Sequence, residues 1–149
     1  MKLEEEIKQP HFQDDIQKLI INLLFSGKWA TDLIAKQLKP HKITHQQYNV
    51  LRILRGQKGH QISVNAVAER MIDRMSNVSR LIDKLNDKGL VVRKVNKTDR
   101  RQVDIGITPT GLTLVEQIEK KEIELRENFS TLSKKEANQL NHLLDKLRG

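Results

Sequence analysis

Nine side chains in the middle of this sequence have the types and spacing of a surface that binds a nucleic acid. Five belong to one predicted helix: Ser76, Asn77, Ser79, Arg80 and Lys84. Short hydroxyl and amide groups near the start of a helix can reach base edges or phosphates. Arg80 could contact guanine or phosphate, or it could pair with an acidic neighbour such as Asp99. Lys84 could contact phosphate or only water.

The other four side chains form a basic turn: Lys97, Asp99, Arg100 and Arg101. Strands are predicted on either side of this turn, over 90–95 and 102–107. An arginine-rich hairpin tip fits a minor groove, as a polar helix fits a major groove. The alternative interpretation is an ordinary solvated turn.

Local patterns define the helix that carries the first five side chains. Asp73 is a suitable N-cap and Gly89 a suitable C-terminal stop. The apolar residues fall on one stripe at helical spacing: Met75, Val78, Leu81, Ile82 and Leu85. The helix and the hairpin together predict a winged helix-turn-helix.

Further helices must position this unit. A long helix is predicted from about Phe12 to Leu38, and Pro40 ends it. Four capping signals mark later helix starts: Thr44 with Gln47, Ser63, Thr108 with Pro109, and Ser133 with Glu136. The helix after Thr108 is predicted to reach about Asn128. The predicted fold class is therefore mainly α (α+β), with about six helices and a two- to three-stranded wing.

A chain of 149 residues is most simply one domain. Within it we expect a winged-helix DNA-binding lobe at about 44–107 and dimerisation helices at about 10–40 and 108–149. The terminal helices carry more apolar surface than one lobe can cover. Pairing them in a homodimer would bury the surplus and supply two-fold symmetry. The alternative is that they fold back on their own lobe.

The positive charge is concentrated where the polar helix and the hairpin lie. Residues 60–101 hold ten Lys and Arg against five Asp and Glu, and so contribute +5 of the net charge of +8. A basic patch favours a polyanionic partner through counterion release. A soluble basic surface without such a partner is the alternative.

Other function classes find no support in the composition. The absence of cysteine excludes disulfides, thiolate zinc sites and cysteine redox sensing. No apolar run is long enough for a bilayer and the N-terminus is acidic, so we expect a cytoplasmic protein without a membrane partner. The five histidines lack metal spacing, so we expect no metal and no cofactor. Without a Gly-rich phosphate loop or a nucleophile–base arrangement, we expect no enzyme.

Over nearly its whole length the chain resembles the MarR family of bacterial transcription regulators. The matching segments, in order, are Asn65-Ala66-Val67-Ala68-Glu69-Arg70, Val78-Ser79-Arg80-Leu81-Ile82-Asp83-Lys84-Leu85, Lys88-Gly89-Leu90-Val91, Arg93, Asp99-Arg100-Arg101 and Ile107-Thr108-Pro109-Thr110-Gly111. The resemblance implies a homodimer bound to a pseudo-palindromic operator in double-stranded DNA. Each subunit would place a recognition helix in the major groove and a wing tip in the flanking minor groove.

The resemblance also assigns roles to single residues. Arg101 matches the family arginine that enters the minor groove, where a narrow groove favours a guanidinium. Asp99 would orient it by a charge-assisted hydrogen bond, and Lys97 and Arg100 would contact phosphates. Many relatives sense small anionic or phenolic effectors in a crevice between the dimer helices and the DNA-binding lobe. The candidate residues for such a crevice are Phe25, Lys28, Trp29, Tyr48 and Arg52. The alternative is that they are ordinary core and surface residues.

We therefore expect a dimeric, sequence-specific DNA-binding transcription regulator, most simply a repressor that a small-molecule effector releases. The alternative from another class is a winged-helix protein-interaction module whose basic face meets an acidic protein. The salt dependence of binding to duplex DNA, compared with binding to proteins, discriminates between them.

Overall fold

The computed structural model describes residues 2–73, 77–96 and 102–149, and the side chains of these residues except 122–124. Within these ranges the chain forms eight α-helices and three β-strands. The helices are α1 (Leu3–Glu6), α2 (Asp15–Leu38), α3 (His45–Gly56), α4 (Val64–Arg70), α5 (Val78–Asp87), α6 (Pro109–Lys120), α7 (Glu122–Glu127) and α8 (Lys134–Arg148). The strands are β1 (Ile62–Ser63), β2 (Val91–Val95) and β3 (Val103–Ile107). The predicted class, mainly α with a small sheet, is confirmed.

The four predicted capping signals start the helices where the sequence places them. At α3, the Thr44 hydroxyl accepts the Gln47 N–H at 3.2 Å and the Gln47 side chain accepts the Thr44 N–H at 3.1 Å. The Ser63 hydroxyl caps α4 by accepting the Ala66 N–H at 3.1 Å. Thr108 caps α6 and Ser133 caps α8 in the same way. These contacts satisfy backbone N–H groups that a helix start otherwise leaves without acceptors.

The sheet is antiparallel, with β3 between β1 and β2. In the β2–β3 hairpin, Val91 lies opposite Ile107 and Val95 lies opposite Val103. On the other side of β3, Ile62 of β1 pairs with Ile105. The predicted two- to three-stranded wing is therefore a hairpin whose strand β3 also pairs, near its middle, with a short third strand.

The hydrophobic core lies between α3, α4, α5, the sheet, the end of α2 and α6. Its fully buried side chains come from every one of these elements: Leu38, Val50, Leu51, Leu54, Val67, Ile82, Leu85, Ile105, Val115 and Ile118. The apolar stripe predicted for α5 supplies Val78, Ile82 and Leu85, with Leu81 packed against them. Because this stripe is buried, the opposite face of α5 is left to solvent.

Two predicted helices differ from the observed ones. The long first helix begins at Asp15 rather than about Phe12, after the separate short helix α1, and a turn of 3₁₀ helix over Lys39–His41 follows its end. The helix predicted to reach Asn128 is divided at Lys121, whose N–H bonds the Ile118 carbonyl three residues back at 3.0 Å. A bond to the third rather than the fourth residue tightens the turn and ends α6.

The terminal helices expose apolar side chains along much of their length. On α2 these are Ile16, Leu19, Ile20, Leu23, Leu24, Phe25 and Trp29, and on α8 they are Leu140, Leu143 and Leu147. Leu24 is 70% exposed and Leu143 is 52% exposed, although both belong to the apolar stripes of their helices. A single subunit therefore leaves these stripes uncovered. In the described part of the chain, no helix combines the length and apolar character needed to traverse a lipid bilayer.

Candidate nucleic-acid interface

The candidate interface begins at the turn between α4 and α5. The backbone N–H of Ile72, just after α4, donates to the Asn49 side-chain oxygen of α3 at 3.0 Å. This contact ties the end of α4 to α3. Asn77 is the N-cap residue of α5, and its side chain makes no capping hydrogen bond. The prediction that Asp73 caps this helix is therefore wrong, because the helix begins four residues later than a cap at Asp73 would require.

The outer face of α5 presents the polar side chains that the sequence identifies. Asn77, Ser79, Arg80 and Lys84 are all exposed. None of the four side chains forms a hydrogen bond or ion pair with another described residue. These side chains are thus available to an external partner, on a helix face that could enter a DNA groove. Asn77 lies at the N-cap position and not inside the helix, and Ser76 lies outside the described residues.

Two neighbouring charged residues of this region are already bound within the protein. The Lys88 ammonium, just past the end of α5, donates to the Lys42 carbonyl in the loop before α3. Asp83 of α5 forms an ion pair with Arg93 of β2. Lys88 therefore joins α5 to the end of the long helix, and Asp83 joins α5 to the wing.

The hairpin is closed just before its tip. The Asn96 N–H donates to the Gln102 carbonyl at 3.0 Å, and the Asn96 side-chain amide donates to an Asp104 carboxylate oxygen at 2.7 Å. The five residues 97–101 complete the tip, and the predicted contacts Lys97, Asp99, Arg100 and Arg101 lie among them, outside the described residues. Their predicted roles remain predictions, as do those of the residues on α5.

The lobe behind this face has an unbalanced charge. Residues 33–68 contain no Asp or Glu but hold six cationic residues: Lys36, Lys39, Lys42, Arg52, Arg55 and Lys58. Arg55 is bound to Glu119 of α6, which neutralises that one charge locally. The surplus lies on α2, α3 and the segments that follow them. It adds to the net positive charge of the lobe, which favours a polyanionic partner.

The five predicted effector residues lie on two helices. On α2, Trp29 packs edge-to-face against Phe129 with ring centroids 5.1 Å apart, and Lys28 forms an ion pair with Asp32 one turn later. On α3, Tyr48 is buried, and the Arg52 guanidinium lies 5.9 Å from the centre of its ring. Phe25 is partly exposed on α2. These contacts show how each side chain is held, and leave the effector role a prediction.

A cavity of about 280 Å³ lies between the end of α2 and the break between α6 and α7. Its lining residues are Leu33, Lys36, Gln37, Pro40, Lys121, Leu125 and Asn128. None of the five predicted effector residues lines it. Among the described residues, no group of three His, Asp or Glu side chains is placed to hold a metal ion.

Comparison with known proteins agrees with this geometry. Residues 43–103, which span α3 to the start of β3, match the sequence model of the MarR family. A helix-turn-helix with a hairpin wing, flanked by long terminal helices, is the arrangement that the resemblance implied. The chain belongs to the MarR family.

Individual relatives of this MarR-family chain match most of its length. The regulator MhqR of Bacillus subtilis is 28% identical over 87% of the chain and 89% of its own length. A Thauera aromatica protein named for transcriptional regulation of the hcr operon is 31% identical over 70% of the chain, and the match spans 63% of that protein. The Staphylococcus aureus MepR–DNA complex is 28% identical, with a TM-score of 0.74, over 84% of the chain and 92% of MepR.

Proposed function

We propose that this MarR-family chain is a homodimeric, sequence-specific DNA-binding transcription regulator that acts as a repressor. Each subunit would place the outer face of α5 in a major groove and the tip of the β2–β3 hairpin in the adjacent minor groove. Two such subunits would occupy a pseudo-palindromic operator. A site that overlaps a promoter would then block polymerase, and this action belongs inside the cell, in the cytoplasm.

The exposed face of α5 is the observation that carries this proposal. Ser79, Arg80 and Lys84 are exposed on α5, and the opposite face of this helix packs into the hydrophobic core. Hydroxyl and guanidinium groups supply donors for base edges and phosphates, and lysine supplies charge. Arg101, with Asp99 orienting it, is the proposed minor-groove contact, and Lys97 and Arg100 are proposed phosphate contacts. Residues 33–68 contain no Asp or Glu, and their net positive charge also favours a polyanionic partner.

The uncovered apolar stripes support the homodimer. The side chains exposed on α2 and α8 are large aliphatic and aromatic residues at helical spacing, and removal of such apolar surface from water favours association. A second copy of the chain offers the same stripes, so a two-fold interface can cover both sets at once. The residues at about 10–40 and 108–149 are thus proposed as the dimerisation region, and 44–107 as the DNA-binding lobe.

The experiment that tests the proposal is selection of duplexes by the purified protein from the DNA of its own host. We expect a two-fold symmetric site with half-sites about 34 Å apart, one turn of B-DNA. Binding should weaken steeply as salt rises, because phosphate contacts release counterions. Selection of no duplex, together with capture of an acidic protein by the same face, would favour the protein-interaction module instead.

A small-molecule effector forms the second part of the proposal. It would act by favouring a separation of the two lobes that misfits the operator, and can shift that equilibrium only by its differential affinity for the two separations. Phe25, Lys28, Trp29, Tyr48 and Arg52 are the proposed contacts. Substitution of Arg52 by methionine should then abolish release by an anionic effector while leaving operator binding intact. Retention of full release would exclude Arg52 from that site.

A further inference from the structure

The end of α5 is joined to the start of α6 by an unusually close set of contacts. The four residues Gly89, Leu90, Thr108 and Gly111 form this α5–α6 junction. α5 ends in a Schellman motif: Gly89 has a φ of +68°, and the Leu90 N–H returns to the Leu85 carbonyl at 3.0 Å. The end of the proposed recognition helix is therefore sharply defined before the chain enters the wing.

Thr108 forms hydrogen bonds to Gly89 and Leu90, which lie between α5 and β2. Its hydroxyl donates to the Gly89 carbonyl at 2.7 Å, and its backbone N–H donates to the Leu90 carbonyl at 3.1 Å. The same hydroxyl accepts the Gly111 N–H at 3.1 Å and so caps α6. One side chain thus connects the C-terminal end of α5 to the N-terminal end of α6.

Gly111 allows the two segments to approach this closely. A Cβ atom at this position would lie 2.2 Å from the Leu90 carbonyl oxygen and 2.8 Å from Ile107 Cγ1. The first of these atoms belongs to the backbone, so neither a side-chain rotation nor a local adjustment would relieve the overlap. Any larger residue at 111 must move Leu90 away from α6.

Lys88 adds a second connection at the same end of α5. Its ammonium donates to the Lys42 carbonyl, in the loop between α2 and α3, where Lys42 has a φ of +55°. The C-terminal end of α5 is therefore tied to both segments that lead into the long terminal helices. Before α5, the Ile72 N–H at the end of α4 donates to the Asn49 side chain of α3.

We propose that the α5–α6 junction sets the angle between each DNA-binding lobe and the dimerisation helices, and thereby the separation of half-sites that the dimer accepts. Gly111 is a positioning residue in this arrangement, because it fixes the distance between Leu90 and α6 and touches no DNA. Lys88 is a second positioning residue, and its charge is used within the protein. This inference rests on the proposed function, since it concerns how a dimer reads two half-sites.

The test measures affinity for a set of operators whose half-site spacing differs by one base pair, about 3.4 Å along the axis. Gly111→Ala is compared with Gly56→Ala, a control at the end of α3 where a Cβ would meet nothing within 4 Å. Lys88→Met is the second variant, in case Gly111→Ala fails to fold. Sedimentation confirms that each protein is dimeric.

We expect Gly111→Ala and Lys88→Met to change the ratio of affinities for the native and altered spacings by about fivefold or more, the lower end of typical couplings between sites. Gly56→Ala should leave this ratio unchanged. An equal loss on every spacing, or no loss, would overturn the inference, because a structural defect alone does not depend on operator length. If the wild-type protein binds no duplex, the proposed function itself is wrong. That result differs from one in which the wild-type protein binds but the variants show no dependence on spacing.

Discussion

Lys84, on α5, and Lys88, the residue just after α5, are four positions apart but have different surroundings. Lys84 is exposed and bound to no described residue, whereas the Lys88 ammonium donates to the Lys42 carbonyl. Lys84→Met should therefore reduce the slope of log affinity against log salt by about one. Lys88→Met should leave that slope nearly unchanged, because the Lys42 carbonyl holds its ammonium at the end of α5 and away from a phosphate in the groove. The measurement is a salt titration of operator binding, and equal slope changes for both variants would contradict the assignment.

Arg101 gives a second prediction for a single residue. Arg101→Ala should lower affinity on every duplex by about 1–3 kcal/mol, the range for a well-placed arginine contact, and leave the fold intact. Circular dichroism checks the fold while gel-shift titration measures affinity. Arg126→Ala, on α7 and far along the sequence from the wing, is the matched control. Unchanged binding by Arg101→Ala would remove the wing tip from the interface.

The sequence predicts the role of a single residue only where that residue bonds a neighbour a few positions away in the chain. Thr44, Ser63, Thr108 and Ser133 cap their helices because each hydroxyl reaches the N–H three residues ahead. The prediction for Asp73 is wrong because α5 begins at Val78. The neighbouring Ile72 N–H donates to Asn49, 23 residues before Ile72, and no local pattern indicates that contact. The Lys88–Lys42 contact joins residues 46 apart, and no local pattern indicates it.

At the scale of single elements, α8 depends on a capping box that involves a carboxylate. The Ser133 hydroxyl donates to Glu136 at 2.7 Å and the Ser133 N–H donates to the same oxygen at 2.9 Å. These two donors, the hydroxyl first, hold the pKa of Glu136 below its ordinary value of 4.5. Their stabilisation of α8 is therefore present above that value and is lost as the pH falls through the lowered pKa.

Ser133→Ala should raise the pKa of Glu136 toward its ordinary value and increase fraying at the start of α8. A titration of the Glu136 carboxyl by NMR measures the first effect, and hydrogen exchange of the first-turn amides measures the second. Ser130→Ala is the control, because its hydroxyl donates to the Glu127 carbonyl and not to Glu136. An unchanged midpoint for Glu136 in Ser133→Ala would show that the capping box does not form in solution.

Elements with strong apolar periodicity were predicted within a few residues, and breaks inside them were missed. The apolar residues of α3, α5 and α8 repeat at helical spacing, so this periodicity indicates where the three helices lie. The division at Lys121 carries neither glycine nor proline, and it separates α6, which packs against α3, from α7, which packs against α2. Such packing is set by tertiary contacts, including the Gln37 side chain that donates to the Ile118 carbonyl at 3.2 Å.

At the scale of the whole molecule, the apolar stripes of α2 and α8 predict an obligatory dimer. Leu143→Asp places a charge on the exposed stripe of α8 and should shift the protein toward monomers, since burial of an unpaired charge is costly. Asn141→Asp adds the same charge at an exposed polar position of α8 and is the control. Sedimentation velocity measures the oligomeric state. A dimer that Leu143→Asp leaves intact would place the interface elsewhere.

The need for a partner was visible in the sequence, whereas the details of the interface were not. An excess of apolar residues on the terminal helices follows from their periodicity and the small size of the lobe. Which of those residues meet each other depends on the angle between subunits. The α5–α6 junction, which we propose sets the angle between each lobe and the dimerisation helices, likewise becomes apparent only in three dimensions.

The most direct test of the central claim is a hydroxyl-radical footprint of the wild-type protein on a duplex that it selects from host DNA. We predict two symmetric protected segments, one helical turn apart from centre to centre, with two protein chains bound per duplex. Protection should weaken in parallel on both halves when Arg80 or Arg101 is replaced by alanine. A single asymmetric segment occupied by one chain, or the absence of any protected duplex, would contradict the account.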